Sequence, residues 1–95
     1  ELYSKYGFVL GIQRKWQPSI EQLNAALTVD KNGFDYANVG WAYHNSGRLA
    51  QRRKLDAEAK ANFENAKIAL EKAVELNPDN LAALFNLGLT LTDLQ

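Results

Sequence analysis

The chain contains no cysteine, which excludes disulfide cross-links and thiolate-held metals. It does not fix a compartment, because cytosol and oxidising spaces both permit a cysteine-free chain. There is one histidine, His44, in 95 residues. That is too few for a histidine metal cluster, and no serine or cysteine nucleophile stands at a suggestive spacing from it. Net charge is also missing, with eleven basic residues against eleven acidic, so no overall field draws in nucleic acid. No apolar run reaches the roughly 18 residues that a membrane span requires, and no signal-peptide pattern is present. The expectation is a soluble chain with no membrane insertion, the cytoplasm favoured and the compartment itself not indicated. The carboxylate pairs Asp56/Glu58 and Glu71/Glu75 sit among lysines on helical faces and read as solvated surface. The glycines are scattered rather than clustered ahead of a helix, so they form no phosphate cradle. No catalytic residue, metal site or cofactor is expected, and the chain reads as not an enzyme.

What the sequence does contain is a repeated helical phrase. Tyr36, Val39, Gly40 and Tyr43 carry bulky residues on one helical face around a glycine, where a neighbouring backbone could come close. The same phrase occurs as Tyr3, Tyr6, Gly7, Leu10 and again as Leu84, Leu87, Gly88, Leu91. A second phrase of small and large apolar residues follows the first two copies: Ser19, Leu23, Ala26, and then Ala66, Leu70, Ala73 with Asn77-Pro78 behind it. Internal repetition of this kind points to a stacked array of helix pairs.

These residues resemble the tetratricopeptide repeat, whose pattern is an aromatic, Leu-Gly and Tyr on a first helix, then a small residue, a large apolar residue and a proline on a second. The stretch from Tyr36 to Pro78 is closest to it. Departures are Ser19 in place of alanine, Lys31 in place of the proline, and Leu84 and Leu91 in place of aromatics. The resemblance implies an all-α, right-handed solenoid of antiparallel helix pairs with about five helices. Repeat one would cover 1–33, repeat two 34–79, and 80–95 the first helix of repeat three, all in one domain. Gly7 and Gly40 are 33 residues apart but Gly40 and Gly88 are 48 apart, so the second pair is expected to carry about 14 residues beyond the usual repeat of about 34.

In chain order, a first helix is expected over about 2–13, with Gly11 exposed and tolerant of substitution. Pro18 suits the first position of a second helix, and Gly33 suits that helix's C-terminal cap. The surplus residues are shared between two helices, about 34–53 and 56–76, because seven extra residues in each arm keep the stripes nearly in phase. The alternative is a third helix stopping at Ser46 and a much longer fourth. A good start for the fourth helix comes at Asp56, followed by Ala57, Glu58 and Ala59. The last helix follows Asn77-Pro78-Asp79-Asn80 and is apolar on more than one face, with Leu87 and Leu94 expected to lie uncovered. A chain opening on Glu1 rather than methionine reads as a fragment, with a covering partner helix expected beyond Gln95.

The resemblance places ligand-facing positions on the first helix of each unit. Carried onto this chain, the candidate peptide groove comprises Lys5, Phe8, Ile12, Phe34, Asn38, Trp41, His44, Asn45, Phe85, Asn86 and Leu89. The charged clamp by which some members hold a terminal carboxylate is absent, because Ser4, Phe8, Ala82 and Asn86 stand at its positions. The expected partner is therefore a protein or peptide segment of apolar character, with asparagine amides available to its backbone. A structural or self-associating role through the last helix is the alternative. The basic run Arg48, Arg52, Arg53, Lys54 lies in the surplus region, either as a solubilising helix end or as a contact for an anionic partner.

Overall fold

A computed structural model describes residues 2–95 and shows five helices: α1 Leu2–Ile12, α2 Trp16–Val29, α3 Gly33–Arg52, α4 Asp56–Leu76 and α5 Leu81–Asp93. No strand occurs among the described residues. The architecture is all-α, built from antiparallel helix pairs in the manner of a tetratricopeptide repeat. The register of the pairs can be read from their closest approaches. In α3–α4, Gly33 faces Leu76, Gly40 faces Leu70 and Gly47 faces Phe63, so one helix descends as the other rises. In α1–α2, Gly7 faces Leu23 and Gly11 reaches Ser19.

The α3–α4 pair is the longer one, with 20 and 21 residues against 11 and 14 in α1 and α2. Helix α3 runs unbroken through Gly47 and Arg48, so the reading with a stop at Ser46 does not hold. The residue that lets it continue is Gly47, onto which the buried Phe63 ring packs.

Helix ends follow local chemistry. Asn32 and Asn80 cap α3 and α5, their side-chain oxygens accepting from the amides of Asp35 at 2.9 Å and Ala83 at 3.0 Å. Helices α1 and α3 finish alike. After α1, Arg14 N–H donates to Gly11 and Lys15 N–H to Leu10; after α3, Lys54 N–H donates to Gln51 and Leu55 N–H to Ala50. Each is a Schellman closure, with the left-handed residue being Arg14 (φ 62°) or Lys54 (φ 60°) where glycine is the usual occupant.

Two boundary expectations are corrected. Gly33 does not cap α2, which ends on an extended Asp30; Gly33 instead opens α3. Pro18 is the third residue of α2 rather than the first, a position where its missing N–H is still no loss. Helix α4 starts at Asp56 as expected, with the aspartate charge at the positive end of the dipole, and Leu55 before it makes no side-chain cap.

The core is leucine and alanine held at glycine crossings. Ile20, Leu23, Leu27, Val39, Ala42 and Ala69 join α2 to the long pair, while Ala37, Ala66, Leu70, Ala73 and Ala83 join that pair to α5. A Cβ on Gly40 would lie 2.5 Å from Leu70 Cγ, and Leu70 is itself fully buried. Ser19, in place of alanine, is also fully buried and donates a 2.6 Å hydrogen bond to the Gly7 carbonyl. Asp35 is buried as well, accepting from Ser4 and from Asn32, each at 2.8 Å, which ties α1 to the start of α3.

The three repeated glycines are not equivalent. Gly88 is exposed and a Cβ there would meet nothing within 4 Å, because no helix lies against that face of α5. Gly11, expected to be exposed, is buried, and a Cβ there would come 2.4 Å from the Trp41 ring. Leu87 and Leu94 are not uncovered either: each is half-buried against a core cluster, and the exposed apolar residues of α5 are Leu81, Leu84, Phe85 and Leu91.

A stability comparison follows from these environments. Gly40→Ala is expected to cost about 1–3 kcal/mol through overpacking against Leu70. Gly88→Ala is expected to gain about 0.5–1 kcal/mol, because it removes helix-interior glycine entropy and meets no clash. Urea midpoints of the two variants measure this, and similar losses in both would contradict the packing role of Gly40.

Candidate functional site

Helices α1, α3 and α5 all contribute side chains to one hollow. The residues that follow the repeated glycines are Phe8 on α1, Trp41 on α3 and Leu89 on α5. Phe8 and Trp41 rings lie 6.1 Å apart at a tilt of 37°, and Trp16, from the start of α2, meets Trp41 edge-on at 5.2 Å. Trp41 is thus held on both sides by aromatics while remaining only half-buried. Gly11 makes room for its ring, since any side chain at that position would occupy the same space.

Two hollows meet at this tryptophan. One, of about 410 Å³, is lined by Phe8, Phe34, Ala37, Asn38, Trp41, Asn80, Ala82 and Asn86. Its walls come from α1, α3 and α5, and its volume is in the range of ligand clefts. The side-chain amides of Asn38 and Asn86 make no hydrogen bond among the described residues and are reached by solvent. The second hollow, of about 380 Å³, is lined by Gly11, Ile12, Arg14, Trp16, Trp41, Asn45, Arg48 and Arg52. It exists because α3 runs on past the α1–α2 turn and leaves a ledge beside it.

The candidate residues fall into three groups. Phe8, Phe34, Asn38, Trp41 and Asn86 share the first hollow, and Ile12 and Asn45 line the second. Lys5, Phe85 and Leu89 line neither. His44 is corrected: it is buried at 3% exposure and faces away from the hollows, its ring 5.6 Å from that of Phe63. His44 Nε2 lies 2.8 Å from Asp93 Oδ2, and Arg48 Nε donates to the same oxygen at 3.2 Å. The histidine is a fastening between α3 and the end of α5. No stripe analysis could place it there, because Asp93 is 49 residues away in sequence. Sequence reasoning also missed Asn80, a cap whose side chain borders the first hollow, and Trp16 and Arg14, which the α1–α2 turn folds back beside Trp41.

A third, wider cleft of about 710 Å³ runs between α4 and α5, with Ile68, Leu91 and Leu94 among its apolar lining. No group of three or more metal-ligating side chains assembles among the described residues. No helix among them is long and apolar enough to cross a membrane.

Comparison with protein families finds a match to the tetratricopeptide repeat over residues 57–80. That stretch is most of α4 and the turn leading into α5, where Ala66, Leu70, Ala73 and Pro78 carry the second-helix pattern. The match supports the family resemblance over this stretch, a repeat associated in general with protein–protein interaction. Comparison with curated proteins and with solved structures finds no match.

The fastening at Asp93 is testable. Asp93→Ala leaves buried His44 without its acceptor, which is expected to cost about 1–3 kcal/mol and to speed amide exchange in the last turn of α5. Thr92→Ala, at an exposed neighbouring position, serves as the reference. Equal exchange in both variants would show that the contact does not hold the helix.

Proposed function

We propose that the chain is a recognition module that holds an apolar peptide or protein segment along the concave side of α1, α3 and α5. The observation that carries this reading is the hollow beside Trp41, where exposed aromatic surface and unpartnered amides converge from three successive first helices. Phe8 at 43% and Phe34 at 69% exposure offer apolar area, and Trp41 is preorganised by its ring contacts. Rigid aromatic anchors in a hollow commonly dominate binding energy. Asn38 and Asn86 each offer a ligand's backbone a donor and an acceptor. The groove also borders a match to a repeat whose stacked helices form concave interaction surfaces.

A second reading is supported by a different feature. The α4–α5 cleft, together with exposed Leu84 and Leu91 and the open face at Gly88, is the kind of seat that another helix covers. On this reading the chain is a segment of an assembly, or associates with itself through α5. The two readings separate in solution. Ile68→Asp with Leu91→Asp is expected to abolish any concentration-dependent rise in sedimentation coefficient, and an unchanged rise would remove α5 from consideration as a self-association surface.

For the groove, Trp41→Ala is expected to weaken a captured partner by at least about 1–2 kcal/mol with helical circular dichroism retained. Titration calorimetry with a partner isolated by pull-down measures it. Undiminished affinity in a folded variant would place the site elsewhere.

A further inference from the structure

We infer that the ledge beside Trp41 is an anion subsite continuous with the groove, built by Arg14, Arg48 and Arg52 to receive carboxylates that flank the apolar part of a bound peptide. The inference rests on the groove reading and specifies the partner's chemistry: apolar residues followed by acidic ones.

Three features carry it. The first is the charge arrangement. Arg14, Arg48 and Arg52 line one hollow with Asn45 and Trp41, and no acidic residue lines it. Arg14 and Arg52 make no ion pair among the described residues. Arg48 has only Asp93, a carboxylate it shares with His44, and its side chain remains 48% exposed. Gathered like charges in a chain with no net charge leave a local positive field that an anion relieves.

The second is that Arg14 and Arg52 are not engaged at the helix ends they occupy. Among the described residues neither side chain donates to a helix-end carbonyl, and the carbonyls of Leu10, Gly11, Leu49, Ala50 and Gln51 accept backbone amides in the two closures.

The third is continuity. Trp41 borders both hollows, so a segment lying on the Phe8–Trp41 surface meets the arginines without leaving contact. Guanidinium groups suit carboxylates because their planar donor fork matches the two oxygens.

The probes are two short fluorescein-labelled peptides, one with three apolar residues followed by two aspartates and a twin with asparagines in place of the aspartates. Anisotropy titrations on the 95-residue chain are expected to show the aspartate peptide binding about five- to tenfold tighter at low salt, with the difference shrinking as salt is raised. Arg14→Gln with Arg52→Gln should bring the two affinities together. Lys31→Gln with Lys72→Gln, an equal charge change at exposed positions outside the ledge, should leave the preference in place. Equal binding of the twins to the unsubstituted chain overturns the anion subsite and leaves the groove. A preference that survives the arginine changes, or falls equally with the lysine changes, also overturns it. Failure of both peptides to bind at millimolar concentration overturns the groove reading itself. Tighter binding of a short oligothymidylate than of the aspartate peptide overturns the carboxylate assignment in favour of nucleic acid.

Discussion

The seating of a leucine from one helix into the glycine notch of its partner is the contact on which the rest of this chain depends. Leu23 sits against Gly7 and Leu70 against Gly40, and both leucines are fully buried. Two helices brought this close must share small residues along the seam, which explains Ala26, Ala66, Ala69 and Ala73 on the second helices. It also explains why the pairs are antiparallel with short turns and why most of the apolar volume is aliphatic. The aromatic side chains are thereby displaced from the pair interior to the boundary between first helices, where Phe8, Trp16 and Trp41 collect. The tight seam and the aromatic surface are two outcomes of one packing requirement.

The unequal lengths of the pairs decide where chemistry gathers. Helix α3 outruns both α1 and α5, so its last turns have a partner in α4 but none beside them on the α1 side. On the α5 side the overhang is closed by Asp93, which receives His44 and Arg48. On the other side it stays open and becomes the arginine ledge. One extension thus produces a buried polar fastening on one flank and a charged recess on the other. Both depend on the same two turns of helix, and Gly47 allows those turns to lie flat on Phe63.

Helix α5 differs from α1 and α3 because, among the described residues, no second helix packs on its Gly88 face. Its inner face is satisfied by Ala83, Thr90 and the half-buried Leu87 and Leu94, while Leu81, Leu84, Phe85 and Leu91 face outward. Gly88 has the notch that Gly7 and Gly40 have, and no leucine occupies it. The chain therefore presents two kinds of apolar surface. The hollow beside Trp41 is aromatic and bordered by the side chains of Asn38, Asn80 and Asn86. The α4–α5 cleft sets aliphatic Ile68, Leu91 and Leu94 among polar Lys60, Glu64, Asn65 and Lys67.

The repeated phrases by themselves determined that the chain is all-α and that it pairs helices around Gly7 and Gly40. Period and spacing carry that information, because a helix stripe either stays in phase over 20 residues or does not. Phe8, Phe34, Asn38, Trp41 and Asn86 were singled out by the family resemblance, and they line one hollow. Tertiary structure alone decided what depends on contacts between distant segments or on the lack of a neighbour. Gly11 looked exposed because nothing in its own helix predicts that Trp41, 30 positions on, lies over it. His44 looked like a groove residue because its helical phase is close to that of Trp41, yet the last turn of α5 crosses above it and turns it into the buried partner of Asp93. Gly88 matched the motif but not the environment, since a notch is defined by the chain that fills it. The arginine ledge was visible only in part, as a basic run without Arg14, because residues joined by a turn and an overhang share no period in sequence.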